Sequence, residues 1–133
     1  MSLQYLGKIN ILVVEDDIFN LQLIRSLLAK VSDANIISTD DGLKALNTLE
    51  LGKEEIDMVL LDLHLPQMSG KEILQYIRKN RKFDDLPVLI ISVDGMDEVE
   101  LRHIGANDFI LKPFDIDDFV KKISSHSRYK KAK

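Results

Sequence analysis

The chain contains no cysteine. Disulfides, thiolate catalysis and zinc–cysteine sites are therefore excluded. The same absence fits a reducing compartment, so a cytoplasmic protein is expected. No apolar run approaches the roughly 18 residues that span a bilayer. Runs such as 58–61 and 88–91 are strand-sized, and no membrane partner is expected. Residues 1–8 lack the basic start and apolar stretch of a secretory leader. Internal repeats and low-complexity segments are missing as well. Nor is there a Gly/Ser/Thr loop after the first apolar run to cradle a phosphate. Glu15, Asp16 and Asp17 stand there instead, which opposes an anionic cofactor such as a flavin nucleotide.

Positive charge is scarce outside the last eight residues. Lys and Arg number 18 against 22 Asp and Glu, for a net charge of −4. Arg128, Lys130, Lys131 and Lys133 crowd into 126–133, where there is no acid. The rest of the chain is more acidic than the total suggests. It lacks the basic face that phosphate contacts need, so nucleic acid is not expected as a direct partner. Residues 126–133 read as a solvated basic tail or the start of a linker.

What is present is an ordinary globular composition. The 133 residues are 45% hydrophobic and 30% charged, enough for one domain. Short β-branched runs alternate with stretches of helical period. Strands are predicted at 9–14, 35–38, 57–61, 87–92 and 108–111. Helices are predicted at 18–31, after Asp41-Gly42, after Ser69, at 96–104 and at 115–127. Ser69 with Glu72 three residues on forms a capping box, and Gly105 ends the fourth helix. The predicted inward faces are Leu21, Ile24, Leu28 and Val31; Leu43, Leu46 and Leu49; Ile73, Leu74 and Ile77; Ile116, Phe119, Val120 and Ile123. Strand alternating with helix means βαβ units and a parallel sheet in an α/β fold. The continuously apolar strands require cover on both faces. The expected architecture is a three-layer sandwich with ligands beyond the carboxyl ends of the strands.

Those strand ends carry Glu15, Asp16 and Asp17, then Asp62, Ser92 and Lys112. Clustered carboxylates repel, and one has a raised pKa unless a cation joins them. Oxygen donors alone favour a hard ion such as Mg²⁺. An aspartate can act as a nucleophile toward phosphorus. Phosphoryl transfer needs positioning and charge neutralisation above all. An ammonium and a hydroxyl at the same edge supply both.

The segments 11–17, 59–70, 87–92 and Lys112-Pro113-Phe114 resemble a response-regulator receiver domain of two-component signalling. The match covers 8–125. The resemblance implies a flavodoxin-like fold, with a five-stranded parallel sheet in the order 2-1-3-4-5. It implies that Asp62 accepts a phosphoryl group from a sensor histidine kinase or a histidine phosphotransfer protein. Glu15, Asp16, Asp62 and the backbone carbonyl of His64 would hold Mg²⁺, or Mn²⁺ in its place. Lys112 would bind the phosphoryl oxygens, across a cis bond to Pro113. Ser92 and Phe109 would form the switch that alters the α4-β5-α5 surface. Asp17 is read as a helix cap, and the rings of His64, His103 and His126 as surface groups. Val93 follows the switch hydroxyl where the family usually has Ala or Gly, and its branched side chain would narrow access to Asp62.

No second domain is recognised after the basic tail. Output is therefore expected through a downstream protein or a phosphorylation-dependent homodimer. A stand-alone receiver is the first reading; a receiver from a hybrid histidine kinase or multidomain regulator is the alternative. The resemblance implies no enzyme beyond self-phosphorylation and autodephosphorylation. A Mg²⁺-dependent phosphohydrolase with an aspartate nucleophile is less favoured, because its two acids usually follow one strand. A flavodoxin-like carrier and a receiver that never takes phosphate are weaker alternatives still.

Overall fold

The structure, a computed structural model, describes residues 6–95 and 97–127. The basic residues 128–133 and the predicted helix start at Met96 lie outside them. The chain runs β1 (Asn10–Val14), α1 (Ile18–Val31), β2 (Asn35–Thr39), α2 (Gly42–Leu51), β3 (Met58–Asp62), α3 (Gly70–Lys79), β4 (Val88–Ser92), α4 (Glu98–Ile104), β5 (Asp108–Leu111) and α5 (Ile116–His126). A short 3₁₀ turn at Arg81–Phe83, not predicted, links α3 to β4. The five strands are parallel and ordered β2-β1-β3-β4-β5. The winding reverses between β1 and β3, which opens a crevice at their carboxyl ends.

Strand alternation sorts the core into two layers. Ile11 and Val13 of β1, Met58 and Leu60 of β3, and Leu89 and Ile91 of β4 face α1 and α5. Leu12 and Val14, Val59 and Leu61, and Val88 and Ile90 face α2, α3 and α4. Every residue of β3 and β4 is buried, as a sheet covered on both sides requires.

Side chains of Asp17, Asp41, Ser69 and Asp115 accept N–H groups in the first turns of their helices. Each such cap is worth about 1 kcal/mol. The Ser69–Glu72 capping box forms as predicted. Two predicted core positions do not hold. Leu43 is 54% exposed and Ile116 is 51% exposed. Ala45 takes the inward place beside Leu46 and Leu49, because a 3.6-residue period centres the buried stripe there rather than on Leu43. Ile116 shares a face with Phe119 and Val120 but occupies the first position of α5.

At the sheet end opposite the crevice, Arg78 ties four segments together. Its Nε donates to the Gly105 carbonyl (2.9 Å), Nη1 to Phe83 (2.7 Å), and Nη2 to Leu86 (2.7 Å) and Asn107 Oδ1 (2.8 Å). Lysine cannot reproduce that planar fork. Arg78→Lys is expected to leave part-buried carbonyls unpaired and to cost about 3 kcal/mol. Urea denaturation measures it, and a change within about 0.5 kcal/mol, as at an ordinary surface site, contradicts the tie.

Candidate functional site

Each strand ends where the next residue falls at the carboxyl edge of the sheet. Glu15 and Asp16 follow β1, Asp62 closes β3, Ser92 closes β4 and Lys112 follows β5. The structure brings Glu15, Asp16, Asp62 and Lys112 together. One carboxylate oxygen from each of the three acids lies within 4.8 Å of the others. Glu15 and Asp62 are buried, while Asp16 is exposed. Lys112 Nζ reaches Glu15 Oε1 at 3.1 Å and Asp62 Oδ2 at 3.2 Å. The Lys112–Pro113 peptide is cis.

The remaining oxygens are placed by backbone. Asp62 Oδ1 accepts the N–H of His64 at 2.9 Å. Glu15 Oε2 accepts the N–H of Asp17 at 3.2 Å. Asp17 itself caps α1, accepting from the N–H groups of Phe19 and Asn20. The ring of His64 is not what meets Asp62, and that residue is exposed.

The electrostatics are strained on one side and satisfied on the other. Burial, then the neighbouring Asp62, push Glu15 from 4.5 up to about 7. Burial alone would lower the Lys112 ammonium, but Asp62 and Glu15 outweigh it and hold it above an ordinary lysine. Glu15 Oε1 is fully buried and, among the described residues, accepts no aligned hydrogen bond. One ammonium beside three carboxylates leaves a deficit of positive charge. A buried Glu15 oxygen that must share the Lys112 ammonium with Asp62, in an all-oxygen donor set, suits a hard divalent cation.

Ser92 is buried, but its hydroxyl donates to the Asp94 carbonyl and accepts the Asp94 N–H at 3.2 Å. It closes a local turn instead of reaching the carboxylates. Phe109 is 4% exposed and packs with the α2–α4 side of the core. The ring is thus inward in this structure.

Two groups escaped the sequence reading. Gly70, the first residue of α3, donates its N–H to the Leu63 carbonyl at 3.0 Å. A Cβ there would lie 2.5 Å from the Asp62 carbonyl oxygen and 2.8 Å from Leu63 Cα. Glycine is required for α3 to approach the loop that carries Asp62. The second is the pair between His126 Nε2 and Asp108 Oδ2 at 2.8 Å. His126 was read as a surface group, and no local pattern joins residues 18 positions apart.

Burial works to raise Asp108, but the Phe109 N–H, His126 and Lys122 prevail and hold it below the usual carboxylate range. A depressed carboxylate stabilises the fold above its unfolded pKa, and that stability is lost as pH falls through the folded value. Asp108→Asn is therefore expected to flatten the loss of thermal stability below about pH 4. An unchanged acid limb in a pH series of melting curves contradicts this.

Fold and edge together define a doubly wound α/β protein with an acidic, lysine-bearing crevice at its topological switch point. The chain belongs to the response regulator receiver domain family, whose profile matches residues 11–124. It is 37% identical over 114 residues to a protein named two-component response regulator ARR21 of Arabidopsis thaliana. That alignment spans 86% of this chain and only 18% of ARR21. It is 31% identical over 120 residues to the polar-differentiation response regulator DivK of Brucella ovis, covering 88% of this chain and 94% of DivK. The crystal structure of the Mn²⁺-bound form of response regulator Rcp1 superposes with a TM-score of 0.74 at 27% identity, over 87% of this chain and 89% of that one. The fold is the flavodoxin-like fold of receiver domains. Among the described residues, no helix is long and apolar enough to cross a membrane.

Proposed function

We propose that this domain, over 8–125, is a phosphorylation switch that accepts a phosphoryl group on Asp62. The observation that carries the reading is the Asp62 carboxylate itself. It is buried at the sheet's carboxyl edge, with Lys112 Nζ at 3.2 Å and the Glu15–Asp16 pair beside it. The donor is a phosphohistidine on a sensor histidine kinase or histidine phosphotransfer protein. An Asp62 oxygen bonds to phosphorus, the phosphorus–nitrogen bond breaks, and its electron pair leaves with the imidazole. Lys112 meets the developing charge on the phosphoryl oxygens. Glu15, Asp16, Asp62 and the His64 carbonyl would hold Mg²⁺ or Mn²⁺. When bound, that ion supplies the positive charge the carboxylates lack and orients the phosphoryl oxygens.

The acyl phosphate adds charge and acceptor oxygens. Ser92 leaves its turn with Asp94 to donate to one of them, and the α4-β5-α5 surface changes for a downstream protein or a second copy. The acidic body gives nucleic acid no direct part. The domain turns over no external substrate, and it works in the cytoplasm. The tail or linker role expected for 126–133 falls to the residues beyond α5, since His126 closes that helix. Because the chain spans 18% of ARR21, a receiver within a longer regulator fits as well as a stand-alone one.

A radiolabelled phosphohistidine protein tests the transfer. Label is expected to move to the wild type and not to Asp62→Asn or to chelator-treated protein; label on Asp62→Asn overturns the reading. Val93 is 63% exposed and follows Ser92 directly. Val93→Ala is expected to speed both phosphorylation by a small donor and loss of the phosphoryl group to water, each several-fold. Unchanged rates of both sink the access argument.

A further inference from the structure

Phe109 is held from three directions, and only one of them is sheet. Its ring lies under the Arg102 guanidinium of α4, 5.0 Å from centroid to Cζ. Its N–H donates to Asp108 Oδ1 at 2.9 Å. Its carbonyl accepts Lys122 Nζ of α5 at 2.5 Å. Arg102 is itself oriented by three acceptors: Glu98 Oε1 (3.5 Å), the Asn107 carbonyl (3.3 Å) and Asp108 Oδ1 (3.4 Å). The other oxygen of Asp108 holds His126 at the end of α5. A planar cation fixed on one side by acids and lying over an aromatic face is a cation–π contact. At exposed sites such contacts change an equilibrium roughly two- to fivefold.

We infer that Arg102 is a positioning residue, a latch that keeps Phe109 buried before Asp62 is phosphorylated. The inference rests on the switch reading given above. The aromatic half of the switch is then pre-set, and Ser92 alone has to move. Releasing the latch lets the ring swing outward and makes the phosphorylated arrangement harder to reach. Lysine at this position keeps the charge but not the flat guanidinium face.

The test uses fluorinated phenylalanine in the whole chain, with the Phe109 resonance assigned by Phe109→Leu. Its broadening by a dissolved paramagnetic agent is compared in wild type, Arg102→Gln and Arg102→Lys. Broadening is expected to rise roughly two- to fivefold in Arg102→Gln, with Arg102→Lys between it and wild type. The resonances of Phe114 and Phe119, which pack on each other at 5.5 Å, serve as controls for the fold. Phosphoryl gain from a small donor is expected to slow by a similar factor in Arg102→Gln. A Phe109 signal as protected in Arg102→Gln as in wild type overturns the latch. An exposed ring with an unchanged rate overturns the pre-set switch. Because broadening is read without phosphate, the latch is decided even if Asp62 takes no phosphoryl group, a failure that wild type alone reveals.

Discussion

Glu15→Gln is expected to raise the melting temperature of the metal-free protein while abolishing its response to Mg²⁺. Glu15 is fully buried, and its Oε1 accepts no aligned hydrogen bond among the described residues. Burial and Asp62 raise it from 4.5 to about 7. Between those values the folded chain holds more protons than the unfolded one. Stability of the metal-free protein therefore falls as pH rises through that window and levels off above it. A shift of this size corresponds to roughly 3 kcal/mol at 1.36 kcal/mol per unit. The amide must also be accommodated in the same buried place, so a net gain of about 1–2 kcal/mol is expected at about pH 8. For a chain of this size that is about 3–8 °C in melting temperature. Calorimetry with chelator, then with saturating Mg²⁺, separates the two effects. Wild type gains from the ion, and Glu15→Gln does not. A variant that melts lower than wild type in chelator shows that Glu15 stabilises the empty pocket, against the charge deficit argued here.

Gly70→Ala is expected to cost about 3 kcal/mol and to slow phosphoryl gain on Asp62. The atoms a Cβ would meet at 2.5 and 2.8 Å are backbone atoms of Asp62 and Leu63, which cannot rotate away. α3 must lift, and the N–H of Gly70 then loses the Leu63 carbonyl. Gly52 is the control. Its φ is +61°, with nothing within 4 Å of an added Cβ, so Gly52→Ala carries backbone strain alone, about 1 kcal/mol. Chemical denaturation of both variants checks the difference. Gly70→Ala as stable as Gly52→Ala contradicts the close approach.

Much of this was legible in the sequence. Apolar runs of four or five residues separated by helical period lead to a doubly wound sheet, because a strand such as 58–61 with no polar face must be covered twice. The caps at Asp17 and Ser69 were readable because capping chemistry is local. Asp62, Glu15, Asp16 and Lys112 were identified as candidates because the topology sends strand ends to one edge. The strand order and the assigned roles needed the family resemblance. What could not be read depends on distance along the chain. The Arg78 fork reaches from α3 to Asn107, and the Asp108–His126 pair spans β5 to α5. The contacts that Arg102 makes with the Phe109 ring and Lys122 with its carbonyl reach β5 from two helices. Leu43 lies off the core because the 3.6-residue stripe of α2 runs through Gly42, Ala45, Leu46 and Leu49.

Intact-mass analysis after brief incubation with Mg²⁺ and a small acyl phosphate bears most directly on the central claim. The wild-type chain is expected to gain one phosphoryl group, and to gain none as Asp62→Asn or without Mg²⁺. A phosphoryl group that persists on Asp62→Asn, or that forms equally without the ion, contradicts Asp62 as the metal-assisted acceptor.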